Sequence, residues 1–306
     1  MKTKAFTALA IVMTAGSLSA LEISSEASLG NIAFDTARST ALSTPPDGGT
    51  FAETWAYGGS ISATENIGDA IYFSAGMERD PTIRNLVFTR VGFDAGFAKL
   101  AVGPFFGPFN AEGSVLTSGL STTLRLEFAG LVFGSFRSDS TIGAGLAAPG
   151  DYVQERSEVT VGLWVPNVVV SVRLASDSFT WKKAADLTIV DERTRYEFVA
   201  DAFKKNIPYT VGLNFAYENL KRSYIGATSA DSLTDELGSA LIGLKLAFQV
   251  TDTFKISAGG EAALYAWGIG DLRSPPVNSA LFNANLGVTL TFPSRTEGFT
   301  EGGEGS

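Results

Sequence analysis

Hydrophobic and polar residues alternate along nearly the whole chain, and one stretch shows the pattern cleanly. From Ser279 to Phe292, even positions carry Ala, Phe, Ala, Leu, Val, Leu and Phe, while odd positions carry Ser, Leu, Asn, Asn, Gly, Thr and Thr. Successive side chains of a strand point to opposite faces, so this run has one apolar face and one mainly polar face. The same period recurs at Tyr209–Tyr217, with Tyr209, Val211, Leu213, Phe215 and Tyr217 on one side, and at Ser239–Val250. Further strands are predicted at Leu21–Ala27, Phe51–Glu65, Asp69–Arg79, Arg84–Ala95, Phe97–Phe106, Ser114–Phe128, Leu131–Ser138, Tyr152–Val165, Val168 to Lys182, Arg193–Phe203 and Phe254–Trp267.

The connections between them differ in length. Short turns at Asn66–Gly68, Gly96, Ala129–Gly130, Pro166–Asn167, Lys204–Asn206 and Thr251–Thr253 mostly alternate with longer segments at Asp35–Thr50, Gly107–Gly113, Asp139–Asp151, Glu218–Gly238 and Gly268–Asn278. With Leu187–Val190 assigned to a loop, the count is fourteen strands, within a range of 12–16. Proline cannot donate to a strand ladder, and the prolines fall in connections or their flanks, with Pro104 near a strand end. Aromatic residues gather at short-turn ends (Phe93, Phe128, Phe133, Phe203, Tyr209, Phe248, Phe254, Phe292) and long-loop ends (Phe51, Trp55, Phe106, Tyr152, Tyr196, Tyr217, Trp267, Phe282). Two such belts suit the two headgroup levels of a bilayer. A soluble sandwich alternates in the same way but turns its apolar faces on one another and needs no belts. The pattern therefore predicts an all-β chain, a transmembrane antiparallel β-barrel.

The closing aromatic of the last strand, Phe292, resembles the C-terminal signal of bacterial outer-membrane β-barrel proteins, although Pro293 to Ser306 follow it as an acidic Gly-rich tail. That resemblance implies recognition by the barrel-assembly machinery and residence among outer-membrane lipids. In strand number and length the chain is similar to fourteen-stranded monomeric porins, which implies passive diffusion of ions and small hydrophilic solutes. Similarity to the fourteen-stranded fatty-acid transporters is weaker, because the chain has no N-terminal hatch segment before its first strand. A hydrophobic-solute transporter and a non-conducting surface barrel that displays loops stand as alternatives.

Composition narrows the reading further. Residues 1–20 have a basic start at Lys2 and Lys4, an apolar run from Ala5 to Ala15, and small residues near Ala20, the plan of a secretory signal peptide. Expected domains are thus a signal at 1–20, the barrel at 21–292 and a flexible tail at 293–306. The 306 residues contain no cysteine and no histidine and carry a formal charge of -9. A thiolate nucleophile, thiolate metal site or imidazole-based triad has no residue to build it, so no enzyme, cofactor or metal site is expected. The acidic balance also disfavours nucleic acid, whose binding rests on Lys and Arg.

Charge sits on the polar faces. Arg125 with Glu127, Arg156 with Glu158, and Arg195 with Glu197 are each two residues apart and share a face. Together with Arg90, Asp94, Lys99, Arg173, Lys245, Lys255 and Glu261 they are the candidate pore-lining residues. A salt-bridged network filling the interior is the rival to a water-filled lumen. Water is favoured because interior width grows with strand number. Glu53 and Glu155 share faces with apolar residues and run against the pattern.

Overall fold

The computed structural model describes residues 20–34, 55–80, 85–107, 117–142, 145–203, 207–226, 233–270 and 281–292. The signal expected at 1–20, save Ala20, the expected loop Asp35–Thr50, Phe51, Glu53, and the tail at 293–306 lie outside them. Fourteen strands follow in order: β1 (Ala20–Gly30), β2 (Ala56–Ile67), β3 (Ile71–Arg79), β4 (Asn85–Asp94), β5 (Ala98–Gly107), β6 (Thr117–Phe128), β7 (Val132–Thr141), β8 (Tyr152–Val165), β9 (Val168–Ala184), β10 (Leu187–Phe203), β11 (Tyr209–Ile225), β12 (Leu233–Thr251), β13 (Phe254–Gly270) and β14 (Phe282–Phe292). Each pairs antiparallel with its sequence neighbours, and β1 pairs with β14 from Leu21↔Phe292 to Gly30↔Asn283, so the barrel is closed. Closure leaves no edge strand with unpaired backbone groups.

Which side chains face outward settles the meaning of the alternation. Val172, Leu213, Leu244, Leu246, Phe248, Leu286 and Phe292 are all exposed, whereas Arg222, Asp139, Asp191 and Glu218 are buried. This reverses the arrangement of a water-soluble fold, where large exposed apolar surfaces are rare. On β11 the apolar outer face runs from Tyr209 to Tyr217, then turns polar at Asn219, Lys221 and Ser223. On β9 it runs from Val168 to Leu174, then turns to Ser176, Ser178 and Thr180. Eight residue steps at a tilt of about 40° give a band roughly 21 Å tall, close to the ~25 Å typical of membrane barrels. The upper parts of β9–β12 therefore stand beyond the apolar band, where Lys221 pairs with Glu192 at 3.0 Å. Glu155 lies on the outer face above Val159 at the same height, which removes the conflict it posed.

Tight turns form where backbone chemistry permits. Ala129 and Gly130 both have positive φ (51° and 63°), as the centre of the twist-matched turn closed by the Leu131 N–H donating to the Phe128 carbonyl at 3.0 Å requires. At Pro166–Asn167, proline fixes the first central residue and Asn167 takes φ 65°, the geometry of a type II turn.

Several expectations are corrected. Leu187–Val190 is not loop but the start of β10, since Leu187 and Ile189 face inward and pack on Tyr224 and Trp181. The count stays fourteen because those residues lengthen a strand and add none. The expected loop Glu218–Gly238 is mainly strand as well: the β11–β12 register continues from Glu218↔Ser239 to Tyr224↔Leu233, with Leu220 and Leu237 buried inside. Pro104 lies within β5, and the β4 ladder skips Thr89 and Arg90 opposite it and Gly103. A proline has no N–H to give there.

Three expected belt aromatics are on the inner face: Phe133, Tyr152 and, at the short-turn end two residues after the inward Asp201, Phe203. Phe133 stacks on Trp164 at 4.6 Å over the bare backbone of Gly162, and Tyr152 stacks on Phe179 at 5.4 Å. In β13 a register shift turns both Leu264 and Tyr265 outward, so Trp267 joins Tyr265 and Tyr217 in an outer aromatic cluster with centroids 5.6 Å apart.

Leu244 faces outward in the middle of the apolar band, paired with Leu213. Leu244→Arg is expected to destabilise the inserted barrel by about 2–4 kcal/mol, measured by reversible unfolding in lipid vesicles. Wild-type stability would place Leu244 away from the hydrocarbon.

Candidate functional site: a pinched, ion-paired lumen

All thirteen candidate residues lie on the inward parity of their strands, but they are not equivalent. Asp94 with Lys99 (2.6 Å) and Arg125 with Glu127 (2.7 Å) form exposed pairs near the short-turn end. Lys255 lies near the same end, at the start of β13. Arg90, Arg156, Glu158, Arg173, Arg195, Glu197 and Glu261 belong to a network of ion pairs inside the barrel, and Lys245 faces the cavity beside it.

That network has two branches. In the first, Arg137 donates through both terminal nitrogens to Glu78, each at 2.9 Å, and pairs with Asp139 at 2.8 Å. Arg156 pairs with Glu78 at 2.7 Å and with Asp177 at 2.9 Å, and Arg193 pairs with Asp177 at 2.5 Å and with Asp80 at 3.0 Å. Arg90 donates to Ser121, which donates to Asp139. In the second branch, Arg173 pairs with Glu158 at 2.6 Å, and Arg195 pairs with Glu197 at 2.8 Å, Glu218 at 3.3 Å and Glu261 at 2.6 Å. The amides of Asn214 and Asn283 donate to Glu261 and complete its shell.

The first branch fixes the shape of the lumen. Asp80 follows β3, and Arg193 is on β10, seven strands away by either route round the barrel. Fourteen strands about 4.8 Å apart at a tilt of about 40° would close into a circle roughly 28 Å across. An aspartate and an arginine together fall far short of that span. The wall at the β3–β4 end therefore leans inward, and the ion pairs tie it to β7, β8 and β10. On β4 and β5 the inner side chains Leu86, Phe88 and Phe105 form a small buried core.

Solvent-accessible space remains on the other side of the pinch. A cavity of about 500 Å3 is lined chiefly by β9–β14 and β1, and a second of about 300 Å3 lies against β1–β3 and β7–β10. They share Glu26, Asp80, Arg173 and Arg193 in their walls. The interior is thus not the plain water-filled tube that strand number suggests. It is a tube narrowed by the network that stood as the alternative.

At the loop end the chain after β1 also turns inward. Ile32 and Phe34 are buried against Leu220, Leu237 and Leu241 of β11 and β12, and the Phe34 ring lies 4.8 Å from the Arg222 guanidinium. Arg222 in turn grips Asp191 through two nitrogens, at 2.5 and 2.6 Å, with both side chains almost wholly buried. The sequence reading missed this segment. Its signal is the apolar Ile32-Ala33-Phe34 just after Gly30-Asn31, where a solvated loop has no use for it.

No protein-family model matches the chain, and no curated protein does. Among solved structures, the loop L8 deletion mutant of OmpT, an outer membrane protein of Vibrio cholerae, is 10% identical, with 90% of this chain and 100% of that chain covered at a TM-score of 0.42. A bacterial polysaccharide outer membrane secretin is 11% identical over 90% of this chain and 99% of that one, with a TM-score of 0.44. An anion-selective porin from Comamonas acidovorans is 11% identical over 90% and 99%, with a TM-score of 0.37. TM-scores this low carry no weight, and the class of this protein follows from its own topology. The chain is a closed fourteen-stranded antiparallel β-barrel, apolar outside and charged inside, of porin-like architecture.

Asp139 is buried between two guanidinium groups, so Asp139→Ala is expected to cost about 3–5 kcal/mol of stability through uncompensated buried charge, measured by denaturant unfolding in detergent. A loss near zero would mean that Arg90 and Arg137 find water there. Asp80→Ala removes the link to Arg193 and is expected to raise single-channel conductance. Unchanged conductance would show that the pinch does not limit passage.

Proposed function

We propose that this chain is an outer-membrane channel for passive diffusion of ions and small hydrophilic solutes through a narrowed, charged lumen. The observation that carries the reading is the cavity of about 500 Å3 walled by ionised side chains inside a barrel whose outer face is apolar. A barrel that served only as a scaffold gains nothing from keeping such space hydrated, since buried ion pairs are weak sources of stability. The thirteen inward residues, Arg90 through Glu261, act as pore lining in this reading, unequally: the paired ones narrow the passage and the unpaired ones set its field. Outer-membrane lipids are the surrounding partners, and the Phe292-ended strand is the feature offered to the assembly machinery. A chain without histidine or cysteine suits a channel better than a catalyst.

A second reading, a surface barrel that does not conduct, is favoured by the apolar packing of Ile32 and Phe34 on the β11–β12 wall inside the upper lumen. Conductance separates the two. Among the charged groups lining the larger cavity, six carboxylates face four cations, so the channel should prefer cations modestly. In planar bilayers under a salt gradient, steady openings with a cation-directed reversal potential are expected, and Glu26→Lys should move that potential toward anions. A silent bilayer with correctly folded protein would favour the non-conducting barrel, and a reversal potential indifferent to Glu26 would remove it from the pathway.

A further inference from the structure

The geometry points to a binding station for a small zwitterion, of amino-acid or dipeptide class, on the wall of the larger cavity; the inference rests on the channel reading above. Most charges around this cavity already face an opposite charge, as Arg173, Arg195, Glu197 and Glu261 do. Glu26, which leans over Gly287, has no ion pair or hydrogen bond among the described residues, and neither have Asp201 and Lys245, which also line the cavity. Asp201 and Lys245 stand on one rung of the sheet, Asp201↔Gly212↔Lys245↔Gly259↔Asn285, and the amide of Asn285 on that rung is likewise free among the described residues.

Glycine between these residues is what keeps the rung open. A Cβ at Gly212 would collide with the Asp201 carboxylate, and one at Gly259 would come within 2.6 Å of the Asn285 side-chain oxygen. The carboxylate and the amide therefore lie flat over the neighbouring strands, with Lys245 between them. The rung offers an anionic acceptor at one end and a cationic donor beside a polar amide toward the other.

Charge complementarity selects the ligand. An anion alone is repelled by Asp201, a cation alone by Lys245, and a neutral polyol uses neither charge. A zwitterion satisfies both, with its ammonium group donating to Asp201 while its carboxylate accepts from Lys245. Alternate strands stand about 10 Å apart, and an extended dipeptide spans about 7 Å, so the two ends and their hydrogen bonds fit along the rung.

The test uses the folded full barrel in planar bilayers carrying a potassium chloride current. Glycylglycine and L-alanine, both zwitterions at neutral pH, are added in separate runs, with sucrose and sodium acetate as controls. Saturable current reduction by at least one zwitterion, absent with sucrose and acetate, is expected. Asp201→Asn and Lys245→Gln should each raise the half-blocking concentration by about tenfold or more, and the charge-swapped double variant should recover part of the loss. Steady current with no saturable zwitterion block, or with equal block by sucrose, overturns the station while leaving the channel standing. Single variants that block as the wild type does also overturn it. Absence of any current overturns the channel reading, and the station falls with it. If a variant fails to show heat-modifiable migration, the wild-type comparison of zwitterion against sucrose decides alone.

Discussion

Everything in this structure depends on the requirement that a sheet placed in hydrocarbon leave no backbone group unpaired. A helix meets that requirement within itself, whereas a sheet meets it only by closing. Here closure is made by β1 and β14, the most distant strands in sequence, through a register in which Ile23 faces Leu290 and Ala27 faces Leu286 on the outside. Ser24 and Thr289 meet at 3.3 Å on the inside of the same seam. Once the seam forms, side-chain alternation sorts the chain into two environments. The outer one must be apolar over the height of the hydrocarbon, and the inner one is free to be anything that packs or dissolves.

What this chain does with its inner freedom is to narrow the tube by charge. Fourteen strands enclose more area than their own side chains readily fill, and the structure deals with this by drawing one wall inward. Arginine suits the task because its planar fork serves two or three carboxylates at once, as Arg195 does with Glu197, Glu218 and Glu261. The cost of burying such charges is moderated by their adjacency to solvent in the two cavities. Above the network, apolar inward residues take over much of the wall: Leu220, Leu237 and Leu241 receive Ile32 and Phe34, and the buried Arg222–Asp191 pair closes against the Phe34 ring.

Much of this was legible in the sequence, because the barrel's local rules are local in the chain. Strand number, the facing of Leu213, Leu244 and Leu286, and the inward parity of Arg125, Arg156 and Arg195 all follow from a period of two. Strand ends were less visible. Beyond the apolar band the outer face of β11 turns polar at Asn219 and Lys221, so the contrast that marks a strand fades while Leu220 and Tyr224 still pack inside. The pinch was not visible at all. That Asp80 reaches Arg193 depends on the cross-section of the closed barrel, and no spacing along the chain encodes it. The inward turn of Ile32–Phe34 was hidden for a related reason, since its partners lie on strands nearly two hundred residues away.

The central claim is that the apolar face of each strand meets acyl chains while the opposite face meets water in a narrowed lumen. Spin labels placed one at a time at Leu286 and at its neighbour Asn285, in barrels reconstituted into lipid vesicles, test it most directly. Relaxation by oxygen but not by a water-soluble nickel complex is expected at position 286, and the reverse at position 285. Equal behaviour at the two positions, or the opposite order, would contradict it.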